Sequence, residues 1–182
     1  YIVFGKSSVS AINSTAIDFG VGGFCINYSA NANKYALDLF AISNIGDFNG
    51  DGINDMMIGQ SYADGGDGSN TDRGCSWVVF GKTDTSAIEL SDVDNGIGGF
   101  RVDGASSGDR SGFSVSGGGD LNGDGLSDVL VGAINVNNMG GSAANGRAYV
   151  IFGSTTGTAS TSSFIDQLGT ASNDTITGAA QG

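Results

Sequence analysis

One nine-residue phrase holds the residues of this chain best suited to chemistry, and it occurs twice. It reads Asp47-Phe48-Asn49-Gly50-Asp51-Gly52-Ile53-Asn54-Asp55, then Asp120-Leu121-Asn122-Gly123-Asp124-Gly125-Leu126-Ser127-Asp128, and the copies start 73 residues apart. Positions 1, 3, 5 and 9 carry carboxylate or amide oxygens. Oxygens so spaced on a tight loop converge on a hard cation, and calcium takes six to eight of them at roughly 2.3–2.6 Å. Gly52 and Gly125, at position 6, permit the sharp turn because a residue without Cβ enters the positive-φ region freely. Position 7 would lend its carbonyl while its apolar side chain anchors the loop in the core. The expectation is two calcium sites. Asp47, Asn49, Asp51, Ile53 and Asp55 would hold one ion, and Asp120, Asn122, Asp124, Leu126 and Asp128 the other.

The closing position separates this loop from an EF-hand, which needs a bidentate Glu at position 12 and a helix after it. Position 12 is Ile58 in one copy and Val131 in the other. Each loop is succeeded by a short apolar run ending in Gly, Met56 to Gly59 and Val129 to Gly132, which reads as a buried strand. The loop therefore joins two strands. Asp, Asn and Gly also favour turns without any metal. Two copies with the same five ligand positions argue for the ion.

Other chemistry has little to work with. The chain has no His, so Ser-His-Asp and Cys-His arrangements are excluded, and zinc would lack both His and a Cys cluster. The paired aspartates of each loop are better explained as cation ligands than as glycosidase acids, because bound metal keeps them ionised. The reading is of a protein that is not an enzyme. The net charge is −12, and two calcium ions, adding four positive charges, would bring it to −8. Nucleic acid, which needs a basic surface, is not an expected partner. The chain has no 18-residue apolar run, so no membrane insertion is expected. Cys25 and Cys75 are too few for a disulfide framework; a single bridge and buried free thiols are both open.

These loops must be held by strands, and the rest of the sequence supplies them. Gly makes up 33 of the 182 residues and Pro is absent, which suits many turns between short strands. Three phrases recur in fixed order. Ile2-Val3-Phe4-Gly5 returns as Val78-Val79-Phe80-Gly81 and as Val150-Ile151-Phe152-Gly153; Gly22-Gly23-Phe24 returns as Gly98-Gly99-Phe100; the Asp/Asn loop is the third. The expected strands are Leu39 to Ile45, Asp55 to Gly59, Cys75 to Gly81 and Gly99 to Asp103, repeated from Gly112, Asp128 and Arg147, with an earlier copy of the last at Gly23 to Tyr28. Four antiparallel strands per repeat make one propeller blade. The fold class is all-β: two complete four-stranded blades plus part of another. Residues 1–30 are read as the end of a preceding blade, 31–104 and 105–168 as blades with loops 47–55 and 120–128, and 169–182 as a terminal strand or linker.

The text from Ser107 through Phe113, the loop, Val129 to Ala133, and Gly146 to Gly153 resembles the FG-GAP repeats of the integrin α-subunit β-propeller and its bacterial relatives. The resemblance runs from residue 1 to about 155, and the loop with its flanks is its specific part. It implies calcium bound in a hairpin between the first two strands of each blade, on the loop residues named above. The family's Gly-Ala-Pro element lacks its Pro here, and the Phe-Gly element before the first loop is blurred to Leu39-Phe40-Ala41. The tail, Gly169 to Gly178, resembles the opening of an RTX-type calcium repeat, which would imply a large secreted bacterial parent.

Two and a half blades do not close a ring. Either the chain is a piece of a longer propeller, as its start within a repeat suggests, or copies assemble through open ends that would otherwise invite strand pairing. The expected function is a calcium-binding structural or interaction module of a secreted or cell-surface protein, serving adhesion or scaffolding. A docking domain of a secreted enzyme and a self-assembling subunit of a surface layer are the alternatives. Partners would be a protein or polysaccharide surface, or further copies or blades. Asn13, Asn27 and Asn173 head glycosylation sequons, a motif short enough to arise by chance.

Overall fold

The computed structural model describes residues 1–7, 10–28, 40–64, 72–134 and 146–156, and the backbone of 165–168. The elements run, in order, β1 (Ile2–Val3), α1 (Ser14–Asp18), β2 (Gly23–Phe24), β3 (Ile26–Asn27), β4 (Phe40–Gly46), β5 (Asp55–Gln60), β6 (Cys75–Val79), β7 (Ile88–Glu89), α2 (Leu90–Asp94), β8 (Gly99–Asp103), β9 (Ser111–Gly119), β10 (Asp128–Ala133), β11 (Arg147–Ile151) and β12 (Ile165–Leu168). The protein is all-β, as expected, with two four-stranded antiparallel sheets in the orders β4-β5-β6-β8 and β9-β10-β11-β12. We call these the first and second blades. Ile42 stands opposite Ile58 in one, and Val115 opposite Val131 in the other, so the 73-residue repeat is also a repeat of register.

Alternation sorts the side chains of the first blade into two cores. Ile45, Phe48, Met57 and Val78 pack against Val129, Val131 and Ile151 of the second blade. Ile58, Cys75, Trp77 and Val79 lie in the other cluster, with Leu90 and Val93 from α2. Every residue of β6 is buried, as befits a strand covered on both faces. Fully burying an aliphatic or aromatic side chain is worth about 1.5–3 kcal/mol. The seven residues of the inter-blade cluster thus give on the order of 10–20 kcal/mol before ordering costs, enough to dock the blades as one unit.

The structure departs from the expected elements in four places. The strand expected from Gly23 to Tyr28 is split, because after pairing with β1 the chain turns away and the Cys25 carbonyl accepts from Ile88 N (3.0 Å), starting a parallel β3–β7 pair. Two short helices fill stretches to which the sequence reading assigned no element. In α1 the Asn13 side chain accepts from Ala16 N at 2.7 Å, and α2 buries Leu90 and Val93. The fourth strand of the second blade is Ile165–Leu168, antiparallel to β11. Cys25 and Cys75 are free thiols, Cys75 fully buried. Leu39, the 169–182 tail and Asn173 lie outside the described residues. Among the described residues no helix is long and apolar enough to cross a membrane.

Candidate metal centre

Each Asp/Asn loop is the turn of a hairpin, β4 to β5 in the first blade and β9 to β10 in the second, and the two copies share one hydrogen-bond pattern. The position-1 carboxylate organises the turn. Asp47 Oδ1 accepts from Gly50 N (2.7 Å) and Asp51 N (3.0 Å), and Oδ2 from Gly52 N (2.9 Å). Asp120 does the same with Gly123, Asp124 and Gly125 at 2.7, 3.1 and 2.9 Å. For those N–H groups to face one carboxylate the backbone must turn left-handed twice. Gly52 and Gly125 adopt φ of 84° and 90° at the second of these turns, as position 6 requires.

Positions 3 and 5 are linked to one another. Asn49 Oδ1 accepts from Asp51 N and its amide donates to Asp51 Oδ2, both at 2.9 Å; Asp51 Oδ1 accepts from Ile53 N at 2.8 Å. Asn122, Asp124 and Leu126 repeat this set. Asp51 and Asp124 are exposed, while Ile53 and Leu126 are half-buried anchors.

Position 9 is built differently. Asp55 and Asp128 are 1% and 0% exposed. Asp55 Oδ2 accepts from Phe48 N (2.8 Å) and Asn49 N (3.3 Å), and Oδ1 from Gly81 N (2.7 Å). Asp128 accepts from Leu121 N (2.6 Å) and Gly153 N (2.9 Å). Each therefore ties the loop to the end of the third strand, 25 or 26 residues along the chain. Burial pushes the Asp55 carboxyl above its ordinary range; the N–H groups of Gly81, Phe48 and Asn49 pull against that, and the charge of Asp51 adds to the rise.

This contact explains the Phe-Gly element. A Cβ at Gly81 would stand 2.3 Å from the Asn54 carbonyl oxygen, and one at Gly153 2.7 Å from that of Ser127. The glycine lets the strand end touch the loop. In the sequence Phe-Gly is a repeat marker without this role, although its fixed distance from the loop was the available signal. Two bonds between blades also left no mark there: Ser127 N donates to the Asp47 carbonyl (2.9 Å) and Ser154 N to that of Phe48 (3.0 Å).

The structure thus brings positions 1, 3 and 5 together on each turn and sets position 9 in the core beneath the strand ends. Among the described residues, no three His, Cys, Asp or Glu side chains form a ready metal cluster. The donor set nonetheless fits a hard cation. It is oxygen throughout, and an ionised carboxylate has about four acceptor sites. Asp51 uses two of them in the bonds above, so lone pairs remain.

The FG-GAP repeat family matches residues 111–151, a span that starts with β9 and ends with β11. A stretch of 94 residues is 35% identical to Integrin alpha pat-2 of Caenorhabditis briggsae, covering 48% of this chain and 6% of that protein. The matched span lies in the second blade, and the first blade shares its register, its turn bonds and its Phe-Gly contact.

Proposed function

We propose that this chain is a calcium-stabilised, non-catalytic interaction module that works outside the cell, in a secreted or surface-exposed protein. The observation that carries the reading is the turn pattern that the two loops share. In each, three oxygen-bearing side chains sit on a turn that a buried aspartate locks to the blade; they are exposed in the second loop, while Asp47 and Asn49 are half-buried in the first. Asp47, Asn49, Asp51, the Ile53 carbonyl and Asp55 would hold one ion; Asp120, Asn122, Asp124, the Leu126 carbonyl and Asp128 would hold the second. The ion supplies positive charge where three carboxylates lie within nine residues, and it cross-links the two strands of the hairpin. The chain's own residues do the rest. Position 1 shapes the turn, positions 3 and 5 offer side-chain oxygens, and position 9 transmits the fixed loop to the third strand.

The FG-GAP repeat and the integrin-like stretch support a partner that is a protein or polysaccharide surface rather than a small substrate. The test is isothermal titration with calcium, alongside thermal melts with and without chelator. Two sites and a lower melt in chelator are expected. An unchanged melt in excess chelator, with no heat of binding, refutes structural calcium.

A further inference from the structure

Among the described residues, asparagine stands directly before glycine at Asn49-Gly50, Asn95-Gly96 and Asn122-Gly123. That pair is chemically unstable. The glycine nitrogen, once it loses its proton, can bond to Cγ of the asparagine; the Cγ–Nδ2 bond breaks and ammonia leaves with the proton. Water then opens the cyclic imide at either carbonyl and leaves aspartate or isoaspartate. Glycine favours the first step because it has no Cβ to hinder the approach. In the Asp/Asn loops the pair occupies positions 3 and 4.

Each loop holds the attacking atom. Gly50 N donates to Asp47 Oδ1 at 2.7 Å, and Gly123 N to Asp120 Oδ1 at 2.7 Å. The lone pair that would attack lies along the direction of the departed hydrogen, so it faces the position-1 carboxylate and not Cγ. That carboxylate also opposes a second negative charge on the nitrogen beside it. The asparagine is held as well. Asn49 Oδ1 accepts from Asp51 N and its amide donates to Asp51 Oδ2, both at 2.9 Å. Asn122 makes the same pair of bonds with Asp124, at 3.0 and 2.9 Å. Bringing N and Cγ into the aligned contact that bond formation needs means breaking this set.

The other oxygen of the same carboxylate covers a second risk. Aspartate before glycine closes the same ring, with water leaving in place of ammonia, and Asp51-Gly52 and Asp124-Gly125 are such pairs. Gly52 N donates to Asp47 Oδ2 and Gly125 N to Asp120 Oδ2, both at 2.9 Å. One side chain thus holds both glycine nitrogens of its loop that follow a ring-forming residue. Asn95-Gly96 is held differently, by carbonyls of α2. Gly96 N donates to Val93 at 3.0 Å and the Asn95 amide to Ser91 at 2.8 Å. It is an internal reference that no loop carboxylate touches in these bonds.

We propose that Asn49 and Asn122 are latent sites of spontaneous deamidation, kept intact by the position-1 aspartate of their own loop. When Asp47 or Asp120 releases the glycine nitrogen, the asparagine converts, and the change is one-way. At position 49 the amide that donates to Asp51 becomes a carboxylate facing a carboxylate; as isoaspartate it also adds a backbone carbon ahead of Gly50. Both products lose the donor to Asp51 Oδ2. The proposal goes beyond the calcium reading and does not rest on it, because every bond it uses runs from protein to protein.

The test ages the full chain in mildly alkaline buffer with chelator. Mass spectrometry of the loop peptides then separates asparagine from its two products at each site. In the parent, Asn49 and Asn122 should react at least about tenfold more slowly than in the same chain in urea, since reaction must await local opening. Asp47→Ala removes three N–H bonds to a charged group and should speed Asn49 by about tenfold or more, with Asn95 and Asn122 at their parent rates. Asp120→Ala should speed Asn122 and leave Asn49 and Asn95 as they were. Asp47→Asn keeps an oxygen for Gly50 N and should lie nearer the parent than Asp47→Ala does. Asn49 reacting in the folded parent as fast as in urea, or at one rate in the parent and in Asp47→Ala, overturns the proposal. So does equal acceleration of all three asparagines in Asp47→Ala, since the carboxylate would then act on the whole fold and not on its own loop.

Discussion

Asp55→Ala in chelator separates two roles for the same carboxylate. As a ligand alone, Asp55 would matter only when metal is present. The structure gives it a second task, because it accepts from Phe48 N at 2.8 Å, Gly81 N at 2.7 Å and Asn49 N at 3.3 Å while 1% exposed. Hydrogen bonds to a charged group are worth about 1.5–3 kcal/mol each, and a buried donor left unpaired costs a similar amount. Two well-formed bonds and one long one, less the relief of no longer burying a charge, give a loss of about 3–4 kcal/mol. For a chain of this size 1 kcal/mol moves the melting temperature by about 2–4 °C, so the drop should be about 10 °C by circular dichroism. Asp51→Ala is the control. Its carboxylate is exposed and holds Ile53 N and the Asn49 amide, so without metal it should cost less than about 1 kcal/mol. If the two variants melt together in chelator, the latch role of Asp55 is wrong.

The same geometry sets further outcomes. Asp51→Ala and Asp124→Ala should each reduce calcium stoichiometry from two to one by titration calorimetry, with the remaining site intact. Gly112→Ala should destabilise by more than about 2 kcal/mol in denaturant melts, since φ is 81° and the new Cβ would lie 2.4 Å from the Cys75 carbonyl oxygen. Gly52→Ala, at φ 84° with open space around it, should cost only about 1 kcal/mol. Cys75 should resist thiol reagents until the protein is unfolded, whereas the half-buried Cys25 should react first.

The strands and loops were legible because they repeat. Two copies of an apolar run after an Asp/Asn turn fix β5 and β10 to within a residue, and a 72-residue spacing between Trp77 and Tyr149 carries β6 onto β11. The helices were not legible because five residues are under two turns, too short to show a 3.6-residue period. Their ends were marked all the same: Asn13 caps α1, and Gly20 and Gly96 come after α1 and α2 with positive φ. The second role of Asp55 and Asp128 was hidden for a different reason. An aspartate that ligates and one that latches look alike in a motif. Only the arrival of Gly81 and Gly153 from the third strand tells them apart.

The bonds from Ser127 N to the Asp47 carbonyl and from Ser154 N to that of Phe48 carry the consequences of the first loop into the second blade. In a stack of repeats, stability is a sum of terms for single units and terms for the joints between neighbours. Fixing the first loop fixes the carbonyls on which the second blade hangs, so it strengthens a joint. An event at the first loop therefore travels to its neighbour through two main-chain bonds, without needing any side chain of the motif to touch the second blade's own loop ligands.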